Sequence, residues 1–422
     1  MVHSNSKLNA QNSKFFWPIL LCVLFTYGCR ERELISPPPT PPVTVTQSHW
    51  IRVLLSKDVK TCTIMVPSSY EIVETSSGTS LGRFLKNPGP LTVTAAPGQL
   101  NIGGRLFSSR QITLIPDQPF VFYVANKGYR GELRLALSYD GTCFDIINNV
   151  PLETYLAGVV GAEMPNYWEP EALKAQAIAS RTYCLSIKER FGWQRTWDVN
   201  KTQANQMYLG LEAESPKVWE AVTQTNGQVL NCKDDSGKDV IFPAYFSSIC
   251  GGHTEDSRKV FGDSFGPLHG VDCPWCRKVA ARDMFFWPVV KFDKSYVTAQ
   301  VVAKYPLLIK LGQISTVVVD KESDYGSFIR PTNLKLVGTS GQSDFIRAED
   351  FRLVVDPTGR KVRSTICKIT TTGQTCAFVS GRGFGHGVGL CQYGSQGMAR
   401  EGADARQILA HYYPGASIVK LY

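Results

Sequence analysis

The chain has 422 residues, of which 43% are hydrophobic and 19% charged, and its formal net charge is +9. This composition excludes a largely disordered protein and supplies enough apolar material for two or three packed domains. The lysines and arginines are scattered and form no basic helix or basic-aromatic ribbon, which argues against a nucleic-acid binder. The positive charge favours anionic polymers or lipids as partners.

The first 28 residues have the features of a secretory signal sequence. Lys7 and Lys14 precede the apolar stretch 15–27, which is too short to span a bilayer comfortably. Cys29 follows this stretch in a setting that resembles a lipoprotein processing site, so we expect it to carry a lipid. Thr26 stands where such sites normally have leucine, so ordinary cleavage or an uncleaved anchor stays open.

Residues 29–49 are rich in proline and predict a stiff, extended tether. Together with the signal sequence, the tether predicts an exported protein that is anchored to a membrane, in the cell envelope or periplasm.

A β-rich region is predicted from residue 50 to residue 147. Short apolar runs with turn residues between them indicate strands at 51–55, 61–66, 91–95, 111–115, 120–124 and 132–137. After Pro151 the period becomes helical, and we assign residues 148–422 to a second region. A helix there ends at Met164-Pro165.

A longer helix is predicted from Pro170 to Gly192. Its core face consists of Leu173, Ala177, Ser180, Cys184 and Ile187. Further on, we expect loops from 247 to 276, a β-rich stretch from 292 to 380 and a final helix at 403–412. The expected fold class is α+β, with β-rich blocks around a small helical centre that carries Glu163.

Glu163 is the first candidate for chemistry. It precedes Met164-Pro165 and is followed by Trp168, so apolar neighbours should disfavour its ionisation. A protonated glutamate can act as the general acid that glycosidic cleavage requires. On the local sequence alone, a residue that simply caps the next turn is the favoured interpretation.

Four segments together resemble the stage II sporulation protein D and amidase-enhancer family. They are 151–183 with Glu163-Met164-Pro165, Tyr129-Arg130-Gly131, 245–255 with Tyr245-Phe246-Ser247-Ser248, and the glycine-rich block 381–394. The resemblance covers residues 129–422 and implies that Glu163 is the acid/base of a lytic transglycosylase, which needs no second carboxylate. The implied substrate is peptidoglycan glycan freed of stem peptides.

The same resemblance leaves two questions open. A sugar-binding cleft could recruit Arg181, Gln176, Tyr245, Ser247 and His386, although His386 could instead be a structural residue of a tight loop. Amidase-enhancer relatives are described as stimulating a separate wall amidase, so the chain could bind peptidoglycan and activate such a partner without turnover.

Cysteines are the remaining candidates. Cys250, His253, Cys273 and Cys276 have metal-ligand spacing and suit a structural zinc ion, with His269 as the alternative to His253. A disulfide from Cys250 to Cys273 or Cys276 is the competing interpretation, because exported proteins are oxidised. Cys367 and Cys376 flank a turn-like sequence and are expected to pair across a hairpin.

Overall fold

The computed structural model describes residues 49–86 and 89–422. The predicted signal sequence, Cys29 and the tether up to residue 48 lie outside these residues. Within them, no helix has the length and apolar character needed to cross a membrane.

The N-terminal region consists of strands, as predicted. They are β1 (Trp50–Val59), β2 (Thr61–Met65), β3 (Tyr70–Glu74), β4 (Ser80–Phe84), β5 (Leu91–Ala96), β6 (Gln99–Ile102), β7 (Arg105–Phe107), β8 (Gln111–Pro116), β9 (Val121–Val124), β10 (Lys127–Arg130), β11 (Glu132–Leu137) and β12 (Phe144–Pro151). Each predicted strand is present. Alternate side chains of β1, namely Ile51, Val53 and Leu55, lie in the main core, because successive residues of a strand point to opposite faces. Leu54 on the other face is buried in a small separate cluster.

These strands form two sheets over one hydrophobic core. One sheet has the order β13-β1-β12-β11-β8-β3-β4, where β13 (Val199–Asn200) pairs with β1 in parallel, and the other has the order β10-β9-β2-β5-β6-β7. The predicted boundary at 147/148 falls inside β12, and the core continues from the sheets into the helices that follow.

The helical centre begins directly after β12 with α1 (Leu152–Glu163) and α2 (Pro170–Phe191), followed by α3 (Pro216–Gln224). Pro170 occupies the first turn of α2, where its missing N–H costs nothing. All five residues predicted for the core face of α2 are buried. Gly161 lets α1 lie against the backbone of Ala213, since a Cβ at Gly161 would be 1.9 Å from the Ala213 oxygen.

Short elements lead from α3 to the second core. They are β14 (Gln228–Lys233), β15 (Asp239–Ile241), β16 (Phe246–Ser247), α4 (Ser257–Val260), α5 (Cys276–Val279), α6 (Arg282–Phe285) and β17 (Phe286–Trp287).

A second hydrophobic core lies between residues 287 and 378. Its elements are β18 (Val290–Asp293), α7 (Lys294–Lys304), β19 (Ile314–Asp324), β20 (Ile329–Gly338), β21 (Ser343–Arg347), α8 (Ala348–Val355), β22 (Lys368–Thr372) and β23 (Thr375–Val379). The prediction of a β-rich stretch from 292 to 380 did not include α7 and α8. Both helices are short, and α7 is rich in the β-branched residues that favour strands, yet Val297 and Val301 are buried at helical spacing.

The chain then returns to the first core through β24 (Gly381–Arg382), β25 (Leu390–Cys391), α9 (Gln392–Arg400), α10 (Ala405–Tyr412) and β26 (Ser417–Lys420). Because β24 pairs with β17, the chain enters and leaves the second core at the same point. The mixture of sheets and helices confirms the α+β class.

The predicted pairing of Cys367 with Cys376 is wrong. β22 and β23 form the expected hairpin, but its register sets Cys376 opposite Thr371, whereas Cys367 precedes β22. Both cysteines are free thiols.

Candidate active site and cysteine cluster

Glu163 is the last residue of α1, and its carboxyl group is partly buried. One carboxyl oxygen, Oε1, accepts a hydrogen bond of 2.7 Å from the backbone N–H of Met207. The other, Oε2, accepts one of 3.3 Å from the side-chain amide of Gln392. Two separate segments of the chain therefore hold the carboxyl group in one orientation.

Burial raises the pKa of Glu163, because a carboxylate loses hydration near apolar groups. Met164 and Trp168 are both buried, and Trp168 packs edge-on against Tyr393 at 4.9 Å. The hydrogen bonds from Met207 and Gln392 lower the pKa and offset part of this effect. The group can thus hold a proton more readily than an exposed glutamate, while two donors stabilise the anion once the proton has left.

The two donors belong to well-anchored segments. Next to Met207, the Tyr208 hydroxyl donates a hydrogen bond of 2.8 Å to Asn148 in β12. Gln392 is the first residue of α9, and farther along that helix Gln396 accepts a hydrogen bond of 2.9 Å from the backbone of Glu169. Sequence reasoning identified neither donor. Met207 contributes only its backbone, which leaves no sequence signal, but Gln392 lies in the glycine-rich block and could have been singled out there.

Three of the predicted sugar-binding residues lie close together. β16 pairs in parallel with β25, and the Ser247 hydroxyl accepts a hydrogen bond of 3.2 Å from Gly387. The Tyr245 ring lies 6.1 Å from the ring of His386. Ser247 is opposite Cys391 in this pairing, so the group adjoins the segment that carries Gln392.

His386 is neutral in this setting. Burial lowers its pKa to about 4, so the imidazole is uncharged at neutral pH. Its Nδ1 accepts a hydrogen bond of 3.1 Å from the backbone of Val388, which assigns the ring proton to Nε2.

Arg181 and Gln176 are not cleft residues, contrary to expectation. Both are fully buried in α2. Arg181 donates two hydrogen bonds, of 2.7 and 2.6 Å, to the carboxylate of Glu153 in α1, and Gln176 donates one of 2.9 Å to Ser180. The helical wheel placed them off the apolar stripe, but α1, α3, α9 and α10 pack against α2, so the polar residues within 175–187 are buried as well.

Four buried cysteines form a compact cluster, namely Cys250, Cys273, Cys276 and Cys391, whose sulfur atoms all lie within 4.8 Å of one another. Two of these sulfurs, those of Cys250 and Cys276, are 3.8 Å apart. A tetrahedral zinc ion with Zn–S bonds of about 2.3 Å requires sulfur separations of about 3.8 Å, so four thiols in this arrangement could hold a metal ion.

The disulfide alternative does not fit the cluster. All four cysteines are free thiols, and 3.8 Å is far longer than an S–S bond of about 2.0 Å. Burial raises the pKa of Cys250 and Cys391, whereas hydrogen bonds from neighbouring thiols lower that of Cys273. A bound cation would supply the charge that several buried thiolates require.

The expected fourth ligand was wrong, because the fourth member of the cluster is Cys391 rather than His253. Gly251 and Gly252 both have positive φ and turn the chain away after Cys250. The His253 ring stacks on Tyr325 at 4.0 Å, and its Nδ1 is 2.5 Å from the Thr254 oxygen. His269, the alternative, is exposed and outside the cluster.

Comparison with known proteins agrees with the resemblance noted in the sequence. A family model described as stage II sporulation protein matches residues 140–231, which include α1, α2 and Glu163. An uncharacterised protein of Brachyspira hyodysenteriae is 33% identical over 69% of this chain and 72% of its own length. Stage II sporulation protein D of Bacillus subtilis is 30% identical over 64% of this chain and 75% of its own length.

A protein of Bacillus subtilis named amidase enhancer is 25% identical over 62% of this chain and 40% of its own length. The family match includes the helix that ends in Glu163, and the similarity to stage II sporulation protein D extends over most of the chain. The chain belongs to the stage II sporulation protein D family.

Proposed function

We propose that this protein is a lytic transglycosylase that cleaves the glycan strands of peptidoglycan, with Glu163 as its single acid/base. The observation that carries the proposal is the setting of Glu163, a carboxyl group whose pKa is raised by burial and whose two oxygens each accept a hydrogen bond. Membership of the stage II sporulation protein D family supports it.

The reaction needs one carboxyl group in two protonation states. Protonated Glu163 donates its proton to the bridging oxygen, the glycosidic bond to C1 breaks, and the leaving sugar departs as an alcohol. The resulting carboxylate accepts the proton of the muramyl C6 hydroxyl while that oxygen bonds to C1, which closes an anhydro ring without water. Hydrogen bonds from Met207 and Gln392 favour the carboxylate between these two steps.

The proposed substrate is glycan from which stem peptides have been removed. Tyr245, Ser247 and His386 are proposed as sugar contacts, since they adjoin the segment that carries Gln392. Neutral His386 would contact the sugar without adding charge.

A structural zinc ion is proposed for the four-cysteine cluster. Cys391 immediately precedes Gln392, so a metal held by Cys391 would fix the start of α9 and thereby the amide that donates to Glu163. The ion would supply cross-linking only, and no step of the reaction passes through it. Export and a lipid anchor at Cys29 complete the proposal and would locate the enzyme at the cell envelope.

A second candidate function is the stimulation of a separate cell-wall amidase, which the similarity to the amidase enhancer favours. Purified protein incubated with peptide-free glycan, without any amidase, separates the two functions. Mass spectrometry should detect new anhydromuramyl ends. Their absence, with glycan binding retained and a purified wall amidase accelerated, would overturn the transglycosylase and support the enhancer.

A further inference from the structure

A cavity of about 270 Å³ opens at the edge of the N-terminal sheets, in a part of the protein to which no role has been assigned. Its wall includes Tyr70, Phe84 and Leu91 from β3, β4 and β5, and Ile102 and Phe107 from the other side of the opening. In the sheet that leads to α1, the strand β3 is separated from β12 by β8 and β11. The cavity is therefore distinct from the site around Glu163.

The cavity wall is aromatic. Tyr70 and Phe84 stack with their ring centres 5.4 Å apart, and Phe107 meets Phe84 edge-on at 6.5 Å. The guanidinium group of Arg105 lies 5.0 Å from the centre of the Phe84 ring. This cation–π contact holds a charged group at the mouth of the cavity without neutralising it.

Among the described residues, two cations and no carboxylate line the mouth. Arg105 and Lys86 are both exposed, and neither forms an ion pair with an acidic residue in the described ranges 49–86 and 89–422. Arg83 on the same strand as Phe84 differs, because it is paired with Asp117. An apolar wall beside two uncompensated cations suits a ligand that combines an apolar face with a negative charge.

We propose that this cavity is a second, non-catalytic glycan site that binds a carboxylate-bearing sugar of a peptide-free strand. The ring and N-acetyl group would contact the aromatic wall and Leu85, which is 84% exposed beside it, while the carboxylate would pair with Arg105 and Lys86. This inference rests on the proposed function in taking the glycan strand as the ligand. Removal of a stem peptide leaves a free lactyl carboxylate on each muramyl sugar, which matches the two cations.

A strand that binds both at the active site and in the cavity would stay close to Glu163 after cleavage, because the second contact of a tethered ligand is intramolecular. The cavity would also favour stripped strands over strands that still carry peptides, since an amide-linked lactyl group has no charge to pair with the cations.

The test is a titration of the methyl-labelled protein with the methyl glycoside of N-acetylmuramic acid, followed by NMR at the methyl groups of Ile72 and Ile102, which both line the cavity. The matching N-acetylglucosamine glycoside, which lacks the carboxylate, is the ligand control. We expect saturable shifts with the muramic acid probe alone. Arg105→Ala and Lys86→Ala should each weaken binding about tenfold, the effect of losing one charge-assisted hydrogen bond.

Arg83→Ala is the matched control, because it removes the same charge from the same edge outside the cavity, and its affinity should stay within about twofold of wild type. Equal binding of both glycosides, unshifted cavity methyls, or an equal loss in Arg83→Ala would overturn the proposal. An incorrect assignment of transglycosylase activity would give a different result. Anhydromuramyl products would then be absent while the cavity still binds the probe.

Discussion

The ion pair between Arg181 and Glu153 offers a quantitative test of how α1 is held in place. Arg181 is fully buried, whereas the Glu153 side chain is 20% exposed. Besides its two bonds to Glu153, Arg181 donates one of 3.0 Å to the backbone oxygen of Gln228 in β14. The guanidinium group thus joins the first turn of α1 to α2 and β14 in the core.

Arg181→Met supplies an unbranched apolar side chain but leaves Glu153 without its cationic partner, with the Tyr422 hydroxyl as its remaining hydrogen-bond donor. Removing one member of a buried ion pair lowers the free energy of unfolding by about 3–5 kcal/mol. Because Glu153 is partly exposed, we expect a value at the lower end, about 3 kcal/mol. Urea unfolding followed by tryptophan fluorescence should report this loss. Because Arg181 does not reach the surface, the KM of the folded fraction for glycan should not change.

Lys174→Met is the control on the same helix. Its ion pair with Glu171 is partly exposed at both ends, so the loss should be less than about 1 kcal/mol. Replacing Arg181 and Glu153 together by methionine should recover part of the stability, since no unpaired carboxylate remains. A loss below about 1 kcal/mol for Arg181→Met, or a raised KM with unchanged stability, would refute the structural role and restore Arg181 as a substrate contact.

Three further predictions concern other parts of the site. Glu163→Gln should raise the free energy of unfolding at neutral pH, because the folded protein raises the pKa of this carboxyl; the gain should shrink as pH falls towards the ordinary glutamate pKa, which urea unfolding at several pH values would measure. Cys391→Ser should abolish retention of a metal ion by the purified protein, whereas His253→Ala should retain it, as measured by elemental mass spectrometry. Gly161→Ala should destabilise the protein by about 1–3 kcal/mol in thermal unfolding, although alanine favours helices, because its Cβ would clash with the Ala213 oxygen.

Local patterns in the sequence were reliable where a regular element has one apolar face. Each predicted N-terminal strand is present, α2 begins at Pro170 and ends before Gly192, and the final helix, expected at 403–412, spans Ala405–Tyr412. The end of α1 at Glu163 could be predicted because the following Met164-Pro165 disfavours helix continuation.

Long-range contacts account for most of what the sequence did not reveal. Cys391 lies far along the chain from Cys276, and tertiary contacts such as the parallel pairing of β16 with β25 bring it to the cluster, so ligand spacing favoured the nearby His253. Arg181 was predicted to reach a cleft because its position falls off the apolar stripe of α2, but the burial of residues 175–187 on every side depends on which helices pack against them. Met207 acts through a backbone N–H, and residue identity carries no information about such a donor.

The most direct test of the account is to digest peptide-free glycan in ¹⁸O-labelled water with wild-type protein, Glu163→Gln and Glu163→Asp. The masses of the new chain ends are then measured by mass spectrometry. The account predicts anhydromuramyl ends without ¹⁸O from the wild type, none from Glu163→Gln, and slower formation by Glu163→Asp, whose shorter side chain retains an acid. Reducing ends that carry one ¹⁸O would identify a hydrolase instead, and undiminished anhydro products from Glu163→Gln would contradict the role of Glu163.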